Sequence, residues 1–313
     1  MKLSAYFAFL ILVSVSACQS NIKTIRIGSG SHHAMYYPVA SVLCEVFNEH
    51  NSDKNIICKA QISKGAEFNL NAVENGEIEM GISQANLQFD AYTGQRQFAN
   101  NPHKKLRTLF AVHDEYMTII AKKNSNINSF ADLKGKSVNI GNVGSGSRIL
   151  FEQMIKKLGW TLKDFKEIYG ETGSDINKVL CANNKADAAI YIVGHPNKSF
   201  GDMLKNCDAK LVNLSTKEIK TFISLAPEDF FATSIPGNIY KENPAFIQTF
   251  ASKTVLSASE NIDPKIIYNF VKIISENKDE LIKKQPSLVT IDFFEKSDLK
   301  VAPKHYGIDI RKF

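Results

Sequence analysis

The sequence predicts an α/β protein with two lobes, each a mostly parallel sheet flanked by helices, and with a ligand cleft between the lobes. Short β-branched segments alternate with longer amphipathic segments from Thr24 onward, and the alternation starts again near Leu106. A strand, a turn of small residues and a helix start follow one another at 25–38 and again at 137–148. Because such turns leave backbone N–H groups free at a helix N-terminus, the pair favours two lobes that hold one anionic molecule.

The predicted elements fall into two series and a final helical part. The first series has strands at 24–27, 56–62 and 80–83, and helices at 37–48 and 67–75. The second has strands at 108–112, 118–121, 137–140, 166–169 and 186–191, and helices that start at Ser129 or span 148–158 and 175–182. Residues 244–284 are predicted to be helical, and the segment after Leu225 has no strand series of its own. We therefore expect one lobe from 22–112 and 225–313, and the other from 113–224.

The N-terminus has the pattern of a secretion signal over residues 1–18. Lys2 precedes an apolar segment, and small residues lead up to Cys18. The apolar segment is about half of the roughly 20 residues that a membrane-spanning helix needs, which favours a cleaved leader. The residues around Cys18 fit both a bacterial lipobox, with lipidation of that cysteine, and simple cleavage after Ala17. The protein is therefore predicted to be periplasmic, and its membrane contact would be limited to a lipid on Cys18.

Composition narrows the function classes. The chain has 313 residues, of which 44% are hydrophobic and 22% charged, so it can form two ordinary domains. Its net charge of +6 comes from lysines interleaved with acidic residues. Without a basic stripe, binding to nucleic acid is not expected.

Four cysteines remain after the leader, and four cysteines allow three pairings. An exported protein meets an oxidising compartment, so local pairing would place one disulfide in each lobe. We favour Cys44–Cys58 and Cys181–Cys207; buried free thiols are the alternative. A metal site is less favoured, because no CxxC spacing is present.

Several motifs together resemble the TAXI (TRAP-associated extracytoplasmic immunogenic) family, the solute receptors of TRAP transporters, over nearly the whole mature chain. The motifs lie at 27–30, 35–38, 72–84, 106–109, 129–136, 141–148, 194–196 and 234–240. The resemblance implies a two-lobed periplasmic binding protein of the type II-like class, without enzymatic activity or cofactor. Such a receptor would deliver a small organic anion, such as glutamate, 2-oxoglutarate or another dicarboxylate, to a TRAP permease in the membrane. This chain departs from the usual family pattern at 31–34, 63–66 and 84–86, which are predicted ligand loops.

The second glycine-rich turn is the strongest candidate ligand site. The hydroxyls of Ser145 and Ser147 and the N–H groups around Gly146 suit a carboxylate, and the Arg148 guanidinium can make a bidentate pair with it. In the alternative, one serine is only an N-cap and Arg148 points into water.

Other candidates lie at predicted strand ends and at the first helix. Tyr36 would supply a phenol and an apolar wall while Tyr37 packs in the core, and Ser31 and His32 could donate to a second carboxylate. The remaining candidates follow predicted strands and could reach the cleft; they are Lys64, Gln84, Tyr191 and His195. Lys64 is equally explained as a surface lysine, and residues 194–196 are equally explained as a structural turn.

Other functions stay open as alternatives. A periplasmic receptor for an amino acid, a metal ion or a vitamin precursor would serve a different transporter. A metal site would have to collect His32, His33, Tyr36, Tyr37 and His195, whereas a hydrolase would pair His32 or His195 with Ser147. The hydrolase is disfavoured because no GxSxG nucleophile elbow is present. An exported enzyme or a surface antigen remains the least favoured class.

Overall fold

One mixed β-sheet with helices on its faces forms the body of the protein. A computed structural model describes residues 23–30, 35–143, 145–171, 178–227, 229–293 and 300–305. The predicted leader with Cys18, and the candidates Ser31 and His32, lie outside the described residues.

The strands and helices follow the predicted alternation closely in the first 100 residues. The strands are β1 (Lys23–Gly28), β2 (Ile56–Gln61), β3 (Met80–Gln84), β4 (Leu106–Lys122), β5 (Ser137–Asn139), β6 (Glu167–Tyr169), β7 (Ala188–Val193), β8 (Ala209–Leu211), β9 (Phe230–Ile235) and β10 (Ile247–Ser259). The α-helices are α1 (Tyr36–His50), α2 (Ala66–Asn75), α3 (Ala85–Thr93), α4 (Gly146–Lys157), α5 (Lys198–Asn206), α6 (Thr216–Ile223), α7 (Pro264–Glu276) and α8 (Lys278–Lys284). Lys178–Ala182 forms a short π-helix, and single 3₁₀ turns lie between several of these elements.

The sheet has two parallel strand groups with antiparallel strands between them. Its order is β2-β1-β3-β10-β4-β7-β5-β6, with β8 paired to β4 and β9 paired to β10. The pairs β1–β2 and β1–β3 are parallel, and so are β5–β6 and β5–β7. We call β2-β1-β3 the first strand group and β7-β5-β6 the second strand group. The predicted α/β class with mostly parallel groups is confirmed.

Two long strands, β4 and β10, connect the groups. The first part of β4 pairs with the end of β10. The same end of β10 also pairs with β3. Residues 116–121 of β4 pair with β7. The first part of β10 pairs with β9 and with β4. The β4–β10 register shifts between Lys253 and Val255 and again between Leu256 and Ser257. The chain therefore passes from one group to the other within β4 and returns within β10.

Three details of the predicted elements differ from the structure. Residues 247–259 form a strand rather than a helix. The strands predicted at 108–112 and 118–121 are both present, but they are joined without a break in β4. Both β4 and β10 are buried along most of their length and carry polar residues within them, so neither has the strict apolar and polar alternation that predicts a half-buried strand. The helix expected from Ser129 is only a 3₁₀ turn at Ala131–Leu133, because Lys134 is extended and Gly135 then adopts a φ of 75°.

Both favoured disulfides are confirmed. Cys44 in α1 bonds to Cys58 in β2, with a Cα–Cα distance of 4.8 Å. Cys181 in the π-helix bonds to Cys207 directly after α5, with a Cα–Cα distance of 4.9 Å. Each disulfide joins a helical segment to a strand or loop on one side of the β4–β10 crossing.

Candidate functional site

A cavity of about 720 Å³ lies between the two strand groups. Its walls include segments that follow the carboxyl ends of β1, β2, β3, β5 and β7. Open α/β sheets bind ligands at this edge, because loops and helix N-termini converge there. Seven residues predicted from the sequence line the cavity: Tyr36, Lys64, Gln84, Ser145, Gly146, Ser147 and Tyr191.

The start of α4 forms one wall of the cavity. Ser145 is the N-cap, and its hydroxyl accepts a hydrogen bond from the Arg148 N–H at 3.3 Å. The Ser147 hydroxyl accepts from the Ile192 N–H at 3.1 Å and so ties the helix to β7. Gly146 and Ser147 occupy the first turn, where backbone N–H groups have no acceptor within the helix. This turn can therefore donate to an anionic ligand.

Arg148 does not belong to the cavity wall. Its Nε donates to Glu152 Oε1 at 2.9 Å, one helical turn further along α4. Residues four positions apart share a helix face, so Glu152 competes with any ligand for this guanidinium. The structure thus brings the serines and Gly146 of the predicted anion site together, but not its arginine.

Gln84 reaches across the cavity from the end of β3. Its Nε2 lies 2.7 Å from the position that a Cβ on Gly146 would take. A larger residue at position 146 would therefore have to displace this amide. The same Nε2 donates to Glu115 Oε2 at 3.1 Å.

Glu115 is the main cavity residue that the sequence did not predict. It lies on β4 and is only 4% exposed. In addition to Gln84, the Tyr36 hydroxyl donates to its Oε2 at 3.4 Å. Burial raises the pKa of Glu115 to about 8. The available signal is the polar run 113–115 between the strands predicted at 108–112 and 118–121.

His113 is the titratable neighbour of Glu115 on the same strand. Its Nε2 lies 3.9 Å from Glu115 Oε1 and has no hydrogen-bond partner, whereas its Nδ1 lies 3.1 Å from Thr254 Oγ1. Burial lowers the pKa of His113 to about 3, so the ring is neutral near pH 7 and supplies no charge to Glu115.

The hydroxyls of Tyr36 and Tyr191, the two tyrosines predicted to line the cleft, form hydrogen bonds with other groups of the protein. Burial near Glu115 raises the pKa of Tyr36 well above its ordinary value. The Tyr191 hydroxyl accepts from Asn139 Nδ2 at 2.7 Å and donates to the Glu171 carbonyl. Both side chains thus contribute ring surface to the cavity. Tyr37 is half-buried and lines a separate shallow depression beside β1 and β2.

Lys64 and His195 differ in position. Lys64 is exposed at the edge of the cavity, on the loop after β2. His195 is absent from the cavity wall, and its two ring nitrogens bond to Thr118 Oγ1 at 2.9 Å and to the Tyr240 hydroxyl at 2.5 Å. The preceding Gly194 leaves room for the His113 ring, which would lie 2.8 Å from a Cβ there. The Gly-His-Pro motif is therefore explained by packing.

Among the described residues, the geometry does not bring together the groups of the metal and hydrolase alternatives, and His32 and His33 lie outside the described residues. His195 and Ser147 each bond elsewhere, as described above, and Tyr36 faces Glu115. Another cluster lies outside the cavity, where Glu49, His50 and Glu280 have potential ligand atoms within 4.8 Å of one another. The Lys284 ammonium lies 3.3 Å from both Glu49 and Glu280 and already supplies a positive charge there.

Comparison with known proteins identifies a family and a fold. The model of the NMT1-like family matches residues 27–309. A structure from Listeria monocytogenes, described provisionally as an L-cystine ABC transporter, has a TM-score of 0.51 and 15% identity, covering 86% of this chain and 96% of that one. A probable amino-acid ABC transporter extracellular-binding protein from Bacillus subtilis has the same TM-score and identity, covering 86% of this chain and 98% of that one.

These likenesses confirm the predicted two-lobed binding-protein fold; at 15% identity they show the fold alone. The narrower resemblance to TAXI receptors stays a prediction. No helix among the described residues has the length and apolar character needed to cross a bilayer.

Proposed function

We propose that this chain, which belongs to the NMT1-like family, is the extracytoplasmic solute-binding protein of a membrane transporter and captures a small organic anion. The observation that carries the proposal is the cavity of about 720 Å³ at the carboxyl ends of strands from both groups. Its volume lies in the range of about 300–1,000 Å³ that is typical of small-molecule sites. In this proposal the protein binds and releases its ligand and performs no chemistry on it.

The start of α4 is the proposed position of the ligand carboxylate. The first-turn N–H groups of Gly146 and Ser147 point toward the free end of the helix, where the helix dipole also favours negative charge. Lys64 lies exposed at the cavity edge and can contribute attraction over a longer range. Arg148 has no part in this proposal, because Glu152 holds its guanidinium.

Ligand capture is proposed to close the two lobes about the β4–β10 crossing. Strand pairs that cross between lobes suit hinge closure, because a few residues can absorb the change in backbone angles. The pairing of β9 with the first part of β10 supports placing 230–252 with the second lobe. The return to the first lobe is then proposed at the register shifts after Lys253, rather than at Leu225.

The proposed partner in the membrane is a TRAP permease, as the sequence motifs imply. An ABC transporter is the second candidate, since the two similar structures carry ABC names. The secretion pattern at residues 1–18 supports a periplasmic location, with lipid anchoring through Cys18 as a further proposal. Deleting the gene of each candidate permease in turn and measuring uptake of the bound solute would separate the two candidates.

A thermal-shift screen tests the proposed function. The protein lacking residues 1–18 is unfolded and refolded to remove any bound ligand, and is then heated with dicarboxylates, amino acids, hydroxy acids and neutral controls. A ligand at about 100 times its dissociation constant adds about 2.7 kcal/mol, which is several degrees for this size. Stabilisation by at least one organic acid, without product formation on long incubation, is the expected result. Turnover of a ligand, or stabilisation only by compounds that carry no carboxylate, would contradict the proposal.

A further inference from the structure

We infer that the ligand carries a protonated amine beside its anionic group, and that the carboxylate of Glu115 binds this amine. The inference rests on the proposed function, because it assigns a ligand class to the same cavity. It depends on three observations: the position of Glu115, the unpartnered polar atoms around it, and the charges of the groups that face it.

Glu115 lies on the cavity wall at the crossing of the two long strands. Ser252 on β10 is its register partner, so the two residues are directly opposite each other on neighbouring strands. Both line the cavity, and each is almost completely buried from bulk solvent, with 4% and 1% exposure. A ligand in the cavity can therefore reach the carboxyl while water is largely excluded.

Two buried polar atoms of the cavity wall have no hydrogen-bond partner. These are Ser252 Oγ and Asn86 Oδ1, and Asn86 lies two residues after Gln84, which itself donates to Glu115. Buried polar atoms normally have partners, so such atoms indicate where a ligand bonds. Ser252 Oγ, on the residue directly opposite Glu115, and Asn86 Oδ1 can each accept a hydrogen bond from a ligand N–H.

The charges around Glu115 also favour a cationic ligand group. The groups that face its carboxyl are Tyr36 from α1, Gln84 from β3, Ser252 from β10 and His113 from β4 itself. His113 is neutral near pH 7, because burial lowers its pKa to about 3. Lys253, next to Ser252, lies 2.9 Å from Asp114, whose side chain points to the opposite face of β4, and the cavity residue Arg96 lies 2.6 Å from Asp90. Among the described residues, no cation pairs with Glu115.

A buried carboxylate without a cation is costly, so the ligand-free protein holds Glu115 protonated near pH 7. This agrees with the raised pKa of about 8. An arriving ammonium group makes the ionised form favourable, and the carboxyl proton then leaves to solvent. Binding of the amine is therefore coupled to the release of about one proton.

The amine and the anion sites are close together. Gln84 Nε2 is 3.1 Å from Glu115 Oε2 and 2.7 Å from the position of a Cβ on Gly146. A ligand that fills both sites must carry its amine and its carboxylate only a few bonds apart. The 2-amino acids are the chemical class that has this arrangement, whereas 2-oxo acids and 2-hydroxy acids lack the cation.

Matched ligand pairs test this inference. Calorimetric titrations at pH 7 compare L-glutamate with 2-hydroxyglutarate, L-leucine with 2-hydroxyisocaproate, and L-alanine with lactate. We expect at least one amino acid to bind about tenfold or more tightly than its hydroxy acid, as for hydrogen bonds to a charged group. Glu115→Gln should abolish that preference, and the matched control Glu152→Gln, on the α4 surface outside the cavity, should keep it.

Each other outcome has a definite meaning. Equal or tighter binding of the hydroxy acids would overturn the amine inference and leave the proposed function intact. A preference retained by a folded Glu115→Gln protein would also overturn it. If no member of any pair binds, the inference fails, and the proposed function fails as well if no other organic acid in the thermal-shift screen stabilises the protein. If Glu115→Gln does not fold, wild-type titrations in two buffers of different ionisation enthalpy give the number of protons released on binding. Zero proton release at pH 7 would contradict the role of Glu115.

Discussion

Glu115 and His113 are two buried titratable residues on one face of β4, and burial moves their pKa values in opposite directions. The pKa of Glu115 is raised to about 8, and the pKa of His113 is lowered to about 3. Burial disfavours the charged form in both cases, which raises the pKa of an acid and lowers that of a base. Both groups are therefore neutral near pH 7 in the ligand-free protein, directly beside the proposed ligand site.

The raised pKa of Glu115 predicts a specific pH dependence of stability. Between pH 4.5 and 8 the folded protein keeps a proton that the unfolded chain releases, so this residue makes the free energy of unfolding fall as pH rises. The full slope is about 1.4 kcal/mol per pH unit. Urea denaturation at pH 5, 6 and 7 should show that the free energy of unfolding of Glu115→Gln rises relative to that of wild type, by about this amount per pH unit. Parallel curves would mean that the pKa of Glu115 is not raised.

The buried histidines predict the opposite trend in acid. His195, like His113, has its pKa lowered to about 3 by burial. Below pH 6.5 the unfolded chain takes up protons that these rings do not, so their contribution to stability is lost as pH falls from 6.5 toward 3. His195→Gln should therefore lose stability less steeply over this range than wild type does. An unchanged slope in urea denaturation would contradict the assigned shift.

Arg148 shows why part of the site could not be predicted from residue types. The serines and Gly146 follow from their place after a strand and before a helix, and so do Tyr36, Lys64 and Gln84. Arg148 has the right chemistry, but Glu152 lies one turn away and takes its guanidinium. We expect Arg148→Ala to change ligand affinity by less than about twofold and stability by less than about 0.5 kcal/mol, the usual value of such a surface pair. A tenfold loss of affinity in a titration would show that Arg148 contributes to ligand binding and would contradict this expectation.

At the scale of elements, the parallel strands and their helices were predictable, and the crossing strands were not. Strands β1, β2 and β3 are short, β-branched and bounded by turn residues, which is a clear signal. Strands β4 and β10 are long, and their middles carry His113, Asp114, Glu115 and Lys253. Polar residues inside a strand indicate a loop unless tertiary contacts pair them, and here Lys253 pairs with Asp114. Glu115 was missed for the same reason.

The disulfide between α1 and β2 gives a prediction at this scale. Closing the loop between Cys44 and Cys58, 14 positions apart, should stabilise the protein by about 3 kcal/mol in the chain-entropy account. Cys44→Ser should therefore lower the melting temperature under oxidising conditions but not in the presence of a reductant. Cys181→Ser is the matched variant for the second disulfide, with a separation of 26. Equal melting of wild type and variant under both conditions would mean that the bond does not form.

At the scale of the whole molecule, the proposed closure makes a prediction about the cavity edge. Val143 lines the cavity on the turn before α4 and is 81% exposed. Phe246, directly before β10, is 67% exposed and does not line the cavity. If the lobes close on the ligand, an environment-sensitive fluorophore on Val143→Cys should change its emission on ligand addition, whereas the same fluorophore on Phe246→Cys should not. Equal responses at both positions, or none at either, would contradict closure over this cavity.

The central claim is that the cavity between the strand groups holds one small organic acid at the start of α4. It is tested most directly by calorimetric titration of the best thermal-shift ligand into ligand-stripped wild type and into Gly146→Val. Our account predicts one site per chain in wild type. It also predicts an affinity at least about tenfold weaker in a variant that folds normally, because the added side chain overlaps Gln84 at the proposed carboxylate position. Saturable binding that is unchanged in Gly146→Val would place the ligand elsewhere and contradict the account.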